Sequence, residues 1–336
     1  MMSESYKTPR FVHLGVRSSF SLLESMITSG ALKSWAENNL VSAVGVTDHN
    51  NLFGALEISE YLAGIGVQPV VGVAFDVMPA LHDAQPYKLT IYAKDETGYE
   101  RLMEIASAAY LESEDGVPVL KEHHVFEKTE GLIALSGGAY GEAGQAACRG
   151  KYEQVLASLK RLTDAYPDRC YVDIQRHDEP EEIQSEPMLI EAAYELGLPL
   201  VAIQDARFLK REDHAAHDAL MCIRNGSYIG QTERYRITEE HYLKSADEME
   251  ALFADIPEAI ENTIALAKRC AVRPRLRNPI LPHFDGGFGR SEADELRAQA
   301  NEGLERRLAE VEKMYGTREE YQERLDYELG IIENMG

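Results

Sequence analysis

Two short segments place acidic or imidazole side chains directly behind apolar runs. Asp48-His49 follows Ala43-Val44-Gly45-Val46-Thr47, and Asp205 follows Leu200-Val201-Ala202-Ile203. Carboxylates and neutral imidazoles are the groups with which proteins hold zinc or manganese, and such an ion can ready a bound water for attack on a phosphate ester. A third segment, Phe11-Val12-His13-Leu14-Gly15-Val16-Arg17-Ser18, leads into Ser21-Leu22-Leu23-Glu24-Ser25 and adds another carboxylate. Arginine intrudes twice, as Arg17 and as Arg207 in Asp205-Ala206-Arg207. A guanidinium is permanently charged and only donates, so it opposes a metal cation where a ligand would help it.

The elements around these segments alternate. Strand-like runs at 43–47, 69–73, 88–93, 131–136, 170–174 and 200–203 are short, apolar and often β-branched, as strands buried on both faces should be. Helical stretches at 31–39, 55–63, 96–111, 152–165 and 182–196 lie between them. This alternation predicts an α/β fold with a parallel sheet, and the number of units predicts a closed barrel. In such barrels the chemistry gathers at the C-terminal ends of the strands, where Asp48-His49 and Asp205 fall. From Ser245 the pattern turns helical. Ser245 with Glu248 forms a cap signature, and a helix runs from Pro257 to Cys270 with its proline in the first turn. A Gly-rich joint at Asp285-Gly286-Gly287-Phe288-Gly289 precedes two charged helices, at about 292–315 and 317–334. The chain ends at Gly336 without a closing signal, as if cut from a longer protein.

The segments 11–25, Val46-Thr47-Asp48-His49-Asn50-Asn51-Leu52-Phe53-Gly54 and Ala202–Leu209, in this order, resemble the PHP (polymerase and histidinol phosphatase) domain of the bacterial DNA polymerase III alpha-subunit family. The likeness runs from about Phe11 to Gly336 and includes Leu252-Phe253-Ala254-Asp255-Ile256-Pro257-Glu258-Ala259. The resemblance implies a distorted (β/α)7 barrel over residues 11–280, after a flexible N-terminus at 1–10. Residues 281–336, from Leu281-Pro282-His283-Phe284 onward, would then be a helical linker and the truncated beginning of the palm. It also implies a full-length DNA-directed DNA polymerase that uses Mg2+, with its polymerase carboxylates beyond this stretch.

In metal-binding members the first segment carries His-x-His and the last carries Asp-x-His. By resemblance those histidines fall here on Gly15 and Arg17, and on Arg207. The other ligand positions fall on Glu24, His49, Ala74, near Lys88, on Gly138 and on Asp205. Only Glu24, His49 and Asp205 are left as ligand candidates. We expect Arg17 and Arg207 to stand where the metals stood and to pair with Glu24, Asp48 and Asp205, because buried charges must be compensated. On this reading the chain holds no metal and catalyses nothing by itself. The alternative is a phosphoesterase or 3'-5' exonuclease that keeps Zn2+ or Mn2+ on the three remaining ligands. A free-standing phosphatase is disfavoured by the palm-like tail.

The other candidates have plainer readings. His13 is a structural histidine in a strand. His123-His124 sit in a solvated polar loop. His177 lines the pocket mouth at most, and His214 with His217, at i and i+3, cap or face solvent. Ser136-Gly137-Gly138 lacks the Lys-Ser/Thr of a phosphate loop. Cys148, Cys170, Cys222 and Cys270 match no zinc spacing and read as buried small apolar residues.

A formal net charge of -23 repels a phosphate backbone, so little direct DNA binding is expected. No apolar run is long enough for a membrane span, and no signal peptide precedes the fold. The cytoplasm is the expected compartment. The resemblance implies as partners the rest of the polymerase chain, the proofreading exonuclease subunit and other replicase subunits.

Overall fold

The structure is a computed structural model. It describes residues 9–79, 85–113, 116–279, 282, 284, 289–311 and 315–335. Most of the expected flexible N-terminus, Leu281 and His283 of the expected exit, and residues 285–288 of the Gly-rich joint lie outside the described residues. The chain divides into two compact units after Leu276.

The first unit runs β1 (His13–Val16), α1 (Ser29–Asn38), β2 (Ala43–His49), α2 (Ala55–Gly64), β3 (Gln68–Met78), β4 (Tyr87–Ala93), α3 (Glu96–Leu111), β5 (Leu120–Lys121) and α4 (Glu122–Phe126). It continues with β6 (Leu132–Leu135), α5 (Glu142–Cys148), α6 (Tyr152–Ala165), β7 (Cys170–Ile174), α7 (Pro180–Leu196), β8 (Leu200–Ala202), α8 (His214–Asn225), α9 (Ala246–Leu252) and α10 (Pro257–Arg269). The strands follow the order β1-β2-β3-β4-β6-β7-β8, with β5 paired to β3. The two ends of this path meet at a parallel bridge between Val16 and Ala206. There Arg17 N donates to Ala206 O at 2.9 Å and Ala206 N to Gly15 O at 3.1 Å.

The sheet is not wholly parallel, as the alternation had suggested. β4 is antiparallel to both β3 and β6. The cause is the short link between Met78 and Tyr87, since a parallel return needs a crossover of a dozen or more residues.

Strand alternation sorts the apolar side chains into two layers. Val71, Val73, Phe75 and Val77 of β3 join Leu89 and Ile91 of β4 and pack under Leu102, Ile105 and Ala109 of α3. Their neighbours Val70 and Tyr92 turn to the other face, where they meet Leu14, Leu135, Tyr171 and Val201 inside the barrel. Tyr92 is fully buried and its hydroxyl donates to Leu14 O at 2.8 Å. Each such side chain contributes about 1.5–3 kcal/mol by leaving water.

Helix α10 closes the end where the parallel strands begin. Gln68 Nε2 donates to Ala267 O and Cys270 O at 2.8 and 2.6 Å, and Asn262 Nδ2 donates to Leu200 O at 2.8 Å. The opposite end, at the strands' C-termini, is left for the site. In the second unit, α11 (Glu292–Glu310) and α12 (Arg318–Met335) pair through Arg297, which meets Glu333 at 2.9 Å and Asp326 at 3.5 Å. Among the described residues no helix is long and apolar enough to cross a membrane.

Candidate functional site: a charge-paired pocket at the strand ends

Polar side chains from β2, β3 and β4 and from the segments after β1 and β8 gather at the open end of the barrel. Arg17 follows β1 directly and is buried. Its Nε donates to Asp205 Oδ1 at 2.6 Å and its NH1 lies 3.2 Å from Glu24 Oε2. Arg207 takes the other oxygen of Asp205, with NH2 2.7 Å from Oδ2. Glu24 is completed by His49 Nδ1 at 2.5 Å and by Arg224 of α8 at 2.8 Å, both on Oε1. The far ring nitrogen of His49 lies 2.7 Å from Asp76 Oδ2, and Lys88 reaches Asp76 Oδ1 at 2.5 Å. One connected chain of ion pairs and hydrogen bonds therefore links Arg207, Asp205, Arg17, Glu24, His49, Asp76 and Lys88.

Its electrostatics follow from burial set against counter-charge. For Glu24, burial alone would raise the carboxyl pKa, but the His49 hydrogen bond and the Arg17 charge outweigh it and hold the group at about 2. Burial acts the same way on Asp205, and Arg17 with Arg207 overcome it, so Asp205 lies well below the usual carboxylate range. Lys88 is pulled down by burial, with Asp76 opposing.

In this arrangement the three ligand candidates are turned toward one another and toward fixed cations. Both oxygens of Glu24 and both of Asp205 already face a guanidinium or the His49 ring, and the His49 nitrogens are both engaged. Gly15 cannot be a ligand position even sterically. A Cβ there would stand 2.6 Å from Ile203 Cγ2 and 3.0 Å from Gln204 O.

The PHP domain family matches residues 13–177. The DNA polymerase III alpha subunit of Caulobacter vibrioides is 45% identical over 332 residues, covering 97% of this chain and 29% of that protein. The alpha subunit of Escherichia coli K12 is 36% identical over 334 residues, covering 98% and 29%. That of Rickettsia bellii is 36% identical over 340 residues, covering 97% and 28%. The chain belongs to the DNA polymerase III alpha-subunit family and carries its PHP domain. It spans less than a third of the length of these relatives.

Within this PHP domain the remaining expected positions lie as follows. Asp48 does not pair with an arginine as expected. Its oxygens accept from Ser18 N and Ser18 Oγ at 2.7 Å each and from Ser21 Oγ at 2.6 Å. Burial pushes its pKa up against those bonds. Ala74 is buried and carries no donor, but Asp76, two residues on and so on the same face of β3, supplies a carboxylate. The strand period was the signal that could have found it. Gly138 has a φ of +57°, and its N–H, with that of Gly137, donates to Asp173 Oδ1 at 3.0 and 2.7 Å. Arg224 had no sequence signal, because it arrives from the last turn of a separate helix.

Several plainer expectations need correction. His217 neither caps nor faces solvent. It is fully buried, with Nε2 2.8 Å from Glu24 O, so it fixes the backbone of a pocket residue. His177 lines no mouth. It is fully buried, stacked on His241 at 3.9 Å between ring centres, and bonded to Glu182 at 2.7 Å. His123 and His124 lie on α4, not in a loop. His13 is buried, with Nε2 2.7 Å from Lys244 O. All four cysteines are free, but only Cys170, Cys222 and Cys270 are buried, and Cys148 is partly exposed.

Proposed function

We propose that this chain is a catalytically silent PHP module of a replicative DNA polymerase, in which arginines replace metal ions as the structural centre of the barrel mouth. The observation that carries the reading is Arg17 bridging Asp205 and Glu24, with Arg207 on the second oxygen of Asp205. A hydrolytic PHP site needs lone pairs directed at its ions. Here those lone pairs are spent on fixed cations, and no water can be activated. The PHP-type domain covers residues 11–280, and 281–336 begins the palm. The role left to the module is to buttress the polymerase and to dock other replicase components in the cytoplasm, the proofreading exonuclease subunit first among them. Leu22, Phe53 and Ile223 are 66%, 56% and 70% exposed on segments that follow β1, β2 and β8, and they are the apolar side chains we propose a docking partner would use.

The test pairs an assay with a binding measurement. Tag-free chain, dialysed against zinc and manganese, is assayed for phosphoesterase activity, and its affinity for purified exonuclease subunit is measured by calorimetry. We expect no hydrolysis and a saturable complex. Metal-dependent hydrolysis that is lost in Asp205→Asn would overturn the reading, as would failure to bind the exonuclease.

A further inference from the structure

Glu112, His123 and His124 lie outside the barrel mouth, where the helix α3 ends and α4 begins. Glu112 is the residue that caps the C-terminus of α3, and its N–H donates to Ala108 O at 3.0 Å. The two histidines directly follow Glu122, the first residue of α4. His124 Nε2 is 3.1 Å from Glu112 Oε2, and the two imidazole rings lie 3.9 Å apart. One ligand atom from each of the three residues falls within 4.8 Å of the other two. Adjacent residues on a helix normally point apart, so this convergence is a specific local arrangement.

α4 is short, but it is held firmly on both sides of the histidines. Val125 is fully buried in the core and Phe126 packs against it. Tyr166 donates to Val125 O at 2.5 Å. On the other side Glu122 accepts from Tyr87 at 3.2 Å and meets Arg161 at 2.9 Å. The two imidazoles therefore stand on a firmly held turn, as a metal site requires.

We propose that Glu112, His123 and His124 form a surface site for a divalent transition-metal ion of the imidazole-preferring kind, with zinc as its representative. Two imidazoles and a carboxylate are the donor set of open zinc sites, which leave a fourth position for water or for a group from another molecule. The set suits zinc, copper or nickel and not magnesium, which demands oxygen. Among the described residues the opposing charge is Lys121, whose Nζ is 3.9 Å from Glu112 Oε2. It is half exposed, and its flexible stem can swing into solvent as the ion enters. Binding requires neutral imidazoles, so protons compete with the ion and uptake should weaken on acidification. The site is independent of the pocket at the strand ends, and it shares no residue with it.

The test is a calorimetric titration of the tag-free 336-residue chain with zinc chloride at pH 7.5, repeated at pH 5.5. One zinc per chain should bind at the higher pH and bind more weakly at the lower. His124→Gln and Glu112→Gln should each weaken binding at least about tenfold, while Cys148→Ser leaves it unchanged. Absence of zinc binding by the unsubstituted chain overturns the proposal. So does binding that persists unweakened in His124→Gln, or that disappears in Cys148→Ser.

Discussion

At the scale of single residues, the pocket turns on what happens when one cation is removed. Arg17 is the only group that touches both Glu24 and Asp205 within the described residues. Without it two buried carboxylates are left under-compensated. Arg17→Ala should destabilise the fold by about 3–5 kcal/mol, read as a lowered midpoint in urea unfolding, and an unchanged midpoint would refute the pairing. Acid should expose the same balance. The Glu24 carboxyl is held at about 2 against an ordinary 4.5, so its stabilisation is complete above pH 4.5 and is lost as the pH falls toward 2. His13 is lowered from 6.5 to about 4, chiefly by burial. The unfolded chain therefore binds a proton that the folded chain refuses between those values, and stability falls as the pH drops across that interval. Both groups act in one direction. Unfolding free energy measured from pH 7 downward should start to decline near pH 6.5 and fall faster below 4.5; a flat profile to pH 4 would count against the buried neutral imidazole.

At the scale of elements, the closure of the barrel depends on close approach between β1 and the segment after β8. Gly15 leaves no room for a methyl group, because Ile203 Cγ2 occupies that space. Gly15→Ala should therefore cost about 1–3 kcal/mol through overpacking. Its cost should be less than additive with that of Ile203→Ala, a coupling that a double-mutant cycle on unfolding free energies would detect. Ser245, which accepts from Glu248 N while Glu248 accepts from Ser245 N, should lose about 1 kcal/mol as alanine. That capping box was legible in the sequence, as were the buried strands and the longer helices, because apolar period and cap chemistry are local. The reversed β4 was not, because local period does not encode strand direction. The site divides the same way. Arg17, Glu24, His49 and Asp205 could be read from ordered motifs, and Asp76 could have been read from the strand period. Arg224 and the burial of His217 could not, since both depend on α8 docking from far along the chain, and the burial of His177 could not, since it depends on stacking against the distant His241.

At the scale of the whole molecule, the charge of -23 governs encounters. Fluorescence anisotropy with short duplex DNA should show no saturable binding at physiological salt, because so negative a chain repels the phosphate backbone. Tight binding would relocate part of the DNA surface onto this module. The arginines at the barrel mouth have a further effect on how the fold meets its surroundings. A bound ion stabilises a protein only by mass action, in proportion to the logarithm of its free concentration, so a barrel built on zinc weakens whenever zinc is scarce. Guanidinium groups tethered to the chain are present at every mouth at all times and cannot be diluted or chelated. A barrel mouth braced in this way should hold its shape through metal starvation.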